Sequence, residues 1–289
     1  MLGDYYNSSP EARDAEVLSV YACLIDVLRG KAEAHVQNIL KYTFETTLGM
    51  ITHDMAQYPE VRLKFFALLR AVNQACFSVF ATMSADQMKL VIDSIIWAIR
   101  HTERNVADTG LHLLFELLRN LESSPGVSAF HQTYFTLILQ EIISVLTDTV
   151  HKPGFKMHCY ILHHLFQLCQ NGSLTAPLAA PPAAGSGSSV MENKAFVVAF
   201  TSDLLQRAFP NLAEGQIRAT VDGFLSFPDT STFKRHVRDF LVQSKQFSDK
   251  ENQQLFEEEV EKQKAEQKEQ LAKIGGMVNP YEISDDMDD

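Results

Sequence analysis

Apolar residues recur at helical spacing along almost the whole chain. Val36, Leu40, Phe44 and Leu48 follow one another at intervals of four residues, which places all of them on one face of a helix. Runs such as residues 196–200 would suit a strand by propensity, but their flanks continue the helical period and no Asn-Gly or Asp-Gly turn joins two such runs. The pattern therefore predicts an all-α fold.

Breaks between the periodic segments indicate where the helices begin. Pro59 suits the first position of a helix, because its missing N–H is not needed there. Ser84 and Gln87 have the spacing of a capping box, in which each side chain bonds the backbone N–H of the other residue. On this basis we expect eleven helices, at residues 13–29, 33–54, 59–82, 84–101, 105–122, 128–148, 154–170, 193–209, 214–226, 230–247 and 249–273.

Alternate predicted helices start at a nearly constant interval. Their starts fall near residues 13, 59, 105, 154 and 214, which are 46, 46, 49 and 60 residues apart. An interval of about 45 residues is typical of HEAT or armadillo repeats, in which each helix pair buries its apolar face against the next pair. The spacing favours a HEAT-repeat α-solenoid. A plain helical bundle is the alternative, because the repeat is one of pattern rather than of residue identity.

The longest interval contains a segment of unusual composition. Of the 20 residues at 171–190, 15 are Pro, Gly, Ser or Ala, which offer too little apolar surface to fix a backbone by burial. We therefore expect a flexible insertion there. The predicted organisation is HEAT repeats at residues 1–170, the insertion at 171–192, HEAT repeats at 193–248, a C-terminal helix at 249–274 and an acidic tail at 275–289.

The negative charge of the chain is concentrated near its C-terminus. Residues 250–289 hold 12 acidic and 5 basic residues, whereas the net charge of all 289 residues is −11. The remainder is close to neutral and has no basic stripe that could neutralise phosphates, so direct nucleic-acid binding is disfavoured. No segment approaches the roughly 18 uncharged apolar residues of a transmembrane helix, so membrane insertion is not expected.

The predicted C-terminal helix carries few apolar residues. Leu255, Phe256 and Val260 could dock it onto the preceding helix, and from the residues alone permanent packing is favoured over a contact that can be switched. The acidic tail beyond it should be mobile. Its terminal carboxylates belong to Asp285, Asp286, Asp288 and Asp289.

A small basic patch precedes that helix. It comprises Lys234, Arg235, His236 and Arg238. Arg235 can also pair with Asp239 four residues further on. Most such patches are solvated faces, but the acidic tail on the same chain gives this one a candidate partner.

Motifs of catalysis and of metal or cofactor binding are missing. The sequence contains no nucleophile elbow, zinc-protease helix motif, P-loop or dinucleotide-binding glycine motif. The densest group of potential metal ligands comprises His158, Cys159, His163 and His164. Only Cys159 and His163 share a helix face at i,i+4, whereas zinc needs three or four ligands, so packing explains the group better. We therefore expect that the protein is not an enzyme and that it binds neither a cofactor nor a metal ion.

One polar stretch near the middle of the chain has two interpretations. Arg104 and Asp108 are spaced as an intrahelical ion pair, and Gly110 would let a neighbouring helix approach closely. This structural interpretation is favoured over a binding motif.

Several stretches resemble one protein superfamily. They lie at residues 94–102, 104–111, 132–135, 147–149, 238–243, 279–280 and 282–283. In these stretches the sequence resembles the C-terminal portion of the nuclear export receptors of the importin-β (karyopherin) superfamily. The similarity runs from near residue 10 to the C-terminus and departs mainly at the insertion. The chains of those receptors are several times longer.

The resemblance implies a receptor that binds GTP-loaded Ran and a leucine-rich export signal together in the nucleus and releases both in the cytoplasm. It would shuttle through the nuclear pore, with nucleoporins as further expected partners. In those receptors the signal-binding groove and its reactive cysteine lie upstream of the part that this chain resembles. None of the four cysteines present is therefore expected to take that role; they are Cys23, Cys76, Cys159 and Cys169.

The resemblance also implies a regulatory role for the C-terminal end. The C-terminal helix and acidic tail would restrain cargo binding until Ran and cargo bind together, and the repeats would help to close the ring around Ran. The resulting hypothesis is a conformational brake that acts through Leu255, Phe256, Val260 and the terminal aspartates. The alternatives are a passive HEAT-repeat scaffold without Ran dependence and an import receptor of the same superfamily.

Overall fold

A computed structural model describes residues 1–53, 57–148, 154–179 and 192–244, and the regular structure in these ranges is helical. Two short 3₁₀ turns, Pro10–Ala12 and Arg29–Ala32, accompany the α-helices. The α-helices of the described ranges are α1 (Leu2–Asn7), α2 (Glu16–Leu28), α3 (Glu33–His53), α4 (Pro59–Ala75), α5 (Ser78–Ala81), α6 (Ala85–Ile99), α7 (Arg104–Leu121), α8 (Val127–Thr147), α9 (Phe155–Gln170), α10 (Asn193–Ala208), α11 (Glu214–Ser226) and α12 (Thr230–Ser244).

Alternate helices are neighbours, so the helices of Met1–Ser244 pack in two layers. In the first layer α4 contacts both α2 and α7, and α7 also contacts α9. In the second layer α8 contacts α6 and α10. Consecutive helices, such as α6 with α7 and α8 with α9, join the two layers. Each helix therefore buries its apolar face against the next repeat, which confirms the predicted all-α repeat fold.

Side-chain contacts between helices repeat the period found in the sequence. The Lys64 ammonium of α4 pairs with Glu16 of α2, the Arg70 guanidinium of α4 donates to Glu116 of α7 at 2.8 Å, and Arg100 at the end of α6 donates to Glu141 of α8 at 2.6 Å. These partners are 48, 46 and 41 residues apart. Polar contacts thus join structurally equivalent helices of adjacent repeats, as a solenoid requires.

The close approach of α6 and α7 depends on Gly110. A Cβ atom at this position would lie 2.8 Å from the Cβ of Ala98 and 3.1 Å from the backbone nitrogen of Ile99. Nearby, Nε of Arg104 lies 3.6 Å from Oδ2 of Asp108 on the same helix. Both observations confirm the structural interpretation of this stretch.

Two predicted helix starts are confirmed by their geometry. Pro59 is the first residue of α4, and Tyr58 before it adopts a left-handed conformation with φ of 58°. At the start of α6 the Gln87 N–H donates to the Ser84 hydroxyl at 3.2 Å and the Ser84 N–H donates to the Gln87 side chain at 3.1 Å. These caps satisfy N–H groups that the helix itself leaves without partners.

The expectation of one continuous helix at 59–82 is wrong. Helix α4 ends at Ala75, Cys76 leaves the helical conformation with φ of −140°, and α5 begins at Ser78. No glycine or proline marks the break. The Cys76 thiol donates to the carbonyl oxygen of Arg29 in the preceding repeat at 3.2 Å. A tertiary contact, which local propensity does not encode, therefore accompanies the interruption.

Helix α1 was not predicted, because six residues carry too little periodicity to be recognised. It packs on α3. Tyr5 is buried there, and its hydroxyl lies 2.8 Å from the hydroxyl oxygen of Thr47. Short helices need such tertiary support, since nucleation is costly.

The start of the expected flexible insertion is held in place. Leu174 and Leu178 are buried. The Asn193 amide donates to the carbonyl oxygens of Leu174 at 2.7 Å and Ala176 at 2.9 Å, and its side-chain oxygen accepts from the N–H of Leu178 at 2.9 Å. Residues 171–179 are thus not a free linker. Flexibility stays a prediction for residues 180–191, which lie outside the described residues.

Replacement of Asn193 by alanine should loosen this connection. Three hydrogen bonds are lost at a partly buried site, so we expect the free energy of unfolding to fall by about 1 kcal/mol. Urea unfolding of the 289-residue chain measures the change. Asn105→Ala, at an exposed position of α7, is the matched control. Equal stability of the two variants would contradict the anchoring role.

Among the described helices, none is both long enough and apolar enough to cross a membrane.

Candidate functional site

The last described helix, α12, precedes in the sequence the segment for which a regulatory role is predicted. The carboxylate of Asp229 caps its start by accepting from the N–H of Thr232 at 2.7 Å. This hydrogen bond lowers the pKa of Asp229, because it favours the charged carboxylate. The cap and its negative charge at the helix N-terminus both stabilise α12.

An aromatic cluster fixes α12 to the helices before it. Phe166 of α9, Phe224 of α11 and Phe233 of α12 are buried, and their ring centroids lie 5.3 to 6.2 Å apart. The Phe240 ring also meets the Phe209 ring edge-on at 5.2 Å. Such aromatic contacts bury large apolar areas. The direction of α12 is therefore set by packing on α9 and α11.

Polar contacts from α9 hold the corner between α11 and α12. Nε2 of His163 and Nε2 of Gln167 both lie within hydrogen-bonding distance of the Phe227 carbonyl oxygen, at 3.2 and 3.1 Å. A carbonyl only accepts, so His163 Nε2 carries a proton. In the neutral ring Nδ1 is then free to accept from the Thr230 hydroxyl at 3.2 Å.

The predicted basic patch does not form one solvated surface. Arg235 is exposed and Lys234 is half-buried, but Arg238 is buried with 9% of its surface exposed. Nε of Arg238 lies 3.6 Å from Oδ1 of Asp239. Asp239 thus lies beside Arg238, and the described part of the chain shows no ion pair of Asp239 with Arg235. His236 instead packs over Gly223, where an added Cβ would lie 2.3 Å from its Nε2.

The predicted regulatory contacts themselves lie outside the described residues. This applies to the helix at 249–273 and to the tail at 275–289. The three apolar residues predicted to dock this helix and the four carboxylates predicted at the end of the tail also lie there; they are Leu255, Phe256, Val260, Asp285, Asp286, Asp288 and Asp289. Their roles stay predictions.

The four clustered potential metal ligands are spread over different contacts. His163 is used at the α11–α12 corner, whereas Nδ1 of His164 lies 3.6 Å from Oε1 of Glu122. Nδ1 of His158 lies 2.8 Å from the Gly154 carbonyl oxygen, and Cys159 is fully buried. Within the described ranges, no three His, Cys, Asp or Glu side chains are grouped to hold a metal ion.

Sequence reasoning missed a groove between α3 and the α5–α6 region. Its volume is about 850 Å³, and both polar and apolar side chains line it. The polar ones include Gln37, Lys41, Glu45, Thr82 and Gln87. Its lining residues come from segments that are far apart in the sequence, so no local sequence signal reveals it.

Helix α2 exposes an apolar face. Val20, Leu24, Val27 and Leu28 are all at least 41% exposed, and Val27 is 74% exposed. The opposite face of α2, which includes Leu18 and Ile25, packs on α4 in the ordinary manner of the layer. The layer thus presents apolar surface at its α2 end.

Comparison with known proteins shows to which family this chain belongs. The family described as CRM1 C terminal matches residues 1–249, which is most of the chain. The chain belongs to this family. It is also 46% identical over 290 aligned residues to Protein EXPORTIN 1B of Arabidopsis thaliana, 45% identical to Protein EXPORTIN 1A of the same plant, and 40% identical over 286 residues to Exportin-1 of Drosophila melanogaster.

The CRM1 relatives are much longer than this chain. The alignments cover 100% of the chain for both plant proteins and 97% for the fly protein, but only 26 to 27% of each relative. The chain therefore spans about a quarter of the length of these relatives. Family membership confirms the resemblance found in the sequence, and the all-α repeat fold agrees with it.

Proposed function

We propose that this chain is the C-terminal regulatory part of a nuclear export receptor. The receptor would carry cargo with leucine-rich export signals out of the nucleus together with Ran-GTP, and shuttle between nucleus and cytoplasm. The CRM1 C-terminal family match over residues 1–249, with 46% identity to a protein named as an exportin, carries this proposal. Nucleoporins are expected partners during passage through the pore. No catalytic step is part of the proposal.

The repeat architecture supports a mechanical role. Neighbouring repeats are joined by apolar packing and, at several interfaces, by side-chain pairs about one period apart, such as Arg70 with Glu116. Stacks of this kind bend by small rotations between neighbouring repeats. The chain would thereby help to close the receptor around Ran.

The predicted C-terminal helix supports a brake on cargo binding. Leu255, Phe256 and Val260 give it a small apolar face, so its docked and released states would differ by only a few kcal/mol. The carboxylates of the tail would bias that balance only over about 8 Å, the screening length at physiological salt.

Deletion of residues 249–289 from the full-length receptor should increase its affinity for an export-signal peptide when Ran is absent. Coupling energies between sites typically correspond to factors of about 5 to 150, and we expect an increase of about tenfold. Fluorescence anisotropy with a labelled signal peptide measures it. Deletion of residues 275–289 alone separates the tail from the helix, and Leu255→Ala with Phe256→Ala and Val260→Ala tests the docking face. Unchanged affinity after the longer deletion would refute the brake.

A passive scaffold is the second candidate, and the exposed apolar face of α2 favours it, because such a face can bind another helix without a nucleotide-dependent partner. Capture of the full-length receptor on immobilised Ran discriminates between the two functions. Retention on GTP-loaded Ran but not on GDP-loaded Ran supports an export receptor. Equal retention on both forms supports the scaffold.

A further inference from the structure

Two buried histidines lie on the contacting helices α8 and α9, near enough for a charge on His164 to act on His131. His131 of α8 is 3% exposed, and neither of its ring nitrogens has a hydrogen-bond partner among the described residues. His164 of α9 has a largely buried side chain, and its Nε2 likewise has no such partner. Buried polar atoms are normally paired, so two exceptions on contacting helices call for a physical explanation.

The surroundings of both rings are aromatic. The His131 ring meets the Phe130 and Phe135 rings edge-on, with centroids 6.1 and 6.3 Å away. The His164 ring meets the Phe115 ring in the same manner at 6.3 Å. A neutral imidazole packs well in such a site, whereas an imidazolium would lose its hydration without gaining hydrogen bonds.

Neighbouring charges do not compensate for this loss. Among the residues that the structure describes, Glu122 alone favours a positive charge on either ring; it is half-exposed and lies 3.6 Å from His164. Arg119 and His163 oppose a charge on His164, and His164 opposes one on His131. Burial is the largest effect and lowers the pKa of both histidines.

We propose that His131 and His164, together with Glu122, form an acid-sensitive joint between adjacent repeats, which is closed when both rings are neutral. The two histidines lie on different layers, and Glu122 directly follows α7, so the joint links three successive long helices. A proton on one ring would disfavour a proton on the other and would draw the charged ring towards water. The contacts of α8 with α9 would then loosen while the rest of the stack is unaffected.

The sign of the pH effect follows from linkage. The unfolded chain binds protons to histidine near pH 6.5, and the folded chain binds them only at lower pH. The joint therefore contributes its full stability above about pH 6.5, and this stability is lost as the pH falls below that value.

The test compares the thermal midpoint of the 289-residue chain at about pH 7.5 and about pH 5.5, on either side of the ordinary histidine pKa. The native chain should lose about 2–4 °C more than a double variant with His131→Phe and His164→Phe, which cannot be charged at these positions. His35→Gln, at an exposed position of α3, is the control and should behave as the native chain. The same loss in the double variant and the native chain would overturn the proposal.

A second measurement needs no substitution. The ring-proton resonances of the ten histidines are followed by NMR as the pH is lowered. The resonances of His131 and His164 should still be in the neutral position at about pH 6.5, the ordinary histidine pKa, and backbone hydrogen exchange in α8 and α9 should rise once they move. Half-shifted resonances of both histidines at that pH would refute the joint.

Discussion

Replacement of Phe166 by alanine is expected to lower the free energy of unfolding by about 3–5 kcal/mol, the usual cost of removing a buried aromatic ring. Phe166 is completely buried, and its ring packs against Phe224 at 5.3 Å and Phe233 at 6.2 Å. The cavity left behind would lie between α9, α11 and α12. Urea unfolding of the whole chain measures the loss.

The matched control for this change is Phe196→Ala. Phe196 of α10 is half-exposed and stacks on Phe200 at 5.9 Å, so the same chemical deletion removes less buried surface. Hydrogen exchange in α12 should rise for Phe166→Ala but not for Phe196→Ala. A loss at Phe166 no greater than at Phe196 would show that the aromatic cluster does not fix α12.

Replacement of Gly110 by alanine should destabilise the chain, although alanine is the better helix former. A Cβ at this position would be 2.8 Å from Ala98 and 3.1 Å from the backbone nitrogen of Ile99, so α6 and α7 must move apart. Overpacking of this kind costs about 1–3 kcal/mol, which outweighs a gain of at most about 1 kcal/mol in helix propensity. Thermal and urea unfolding measure the net loss.

We expect the opposite result for Gly49→Ala, which is the same substitution within another helix. Gly49 is exposed within α3, and an added Cβ would meet no atom within 4 Å. Only the propensity gain of about 1 kcal/mol remains, so this variant should be more stable than the native chain. Two glycine-to-alanine changes within helices thus should differ in sign. Stabilisation by both would contradict the close contact of α6 with α7.

The regular part of the fold could be predicted from the sequence because local rules and burial agree there. Pro59 and Ser84 start helices for reasons that lie within a few residues of each. The apolar spacing around Val36 and Leu40 matches the face that is buried in α3. The constant interval between alternate helices then determines which helices are neighbours, and the side-chain pairs one period apart agree with it.

The remaining features depend on tertiary contacts that the sequence does not display. The break at Cys76 is accompanied by a contact with Arg29, which lies 47 residues earlier. Arg238 carries a charge and is therefore expected in a basic patch, but its side chain is buried. The electrostatic influence of His164 on His131 does not show in the sequence, because the two residues are on different helices and share no motif.

The range of the contacts between repeats has a mechanical consequence. Pairs such as Glu16 with Lys64 and Arg100 with Glu141 each join two neighbouring repeats. Because repeats in such a stack contact mainly their neighbours, a force applied at α12 would be passed to α2 through the interfaces between them. Each interface needs to rotate only slightly for the two ends to move far relative to each other. A stack of repeats can therefore change its end-to-end distance without breaking any one contact. A substitution at a single interface between repeats would change how easily the whole stack bends.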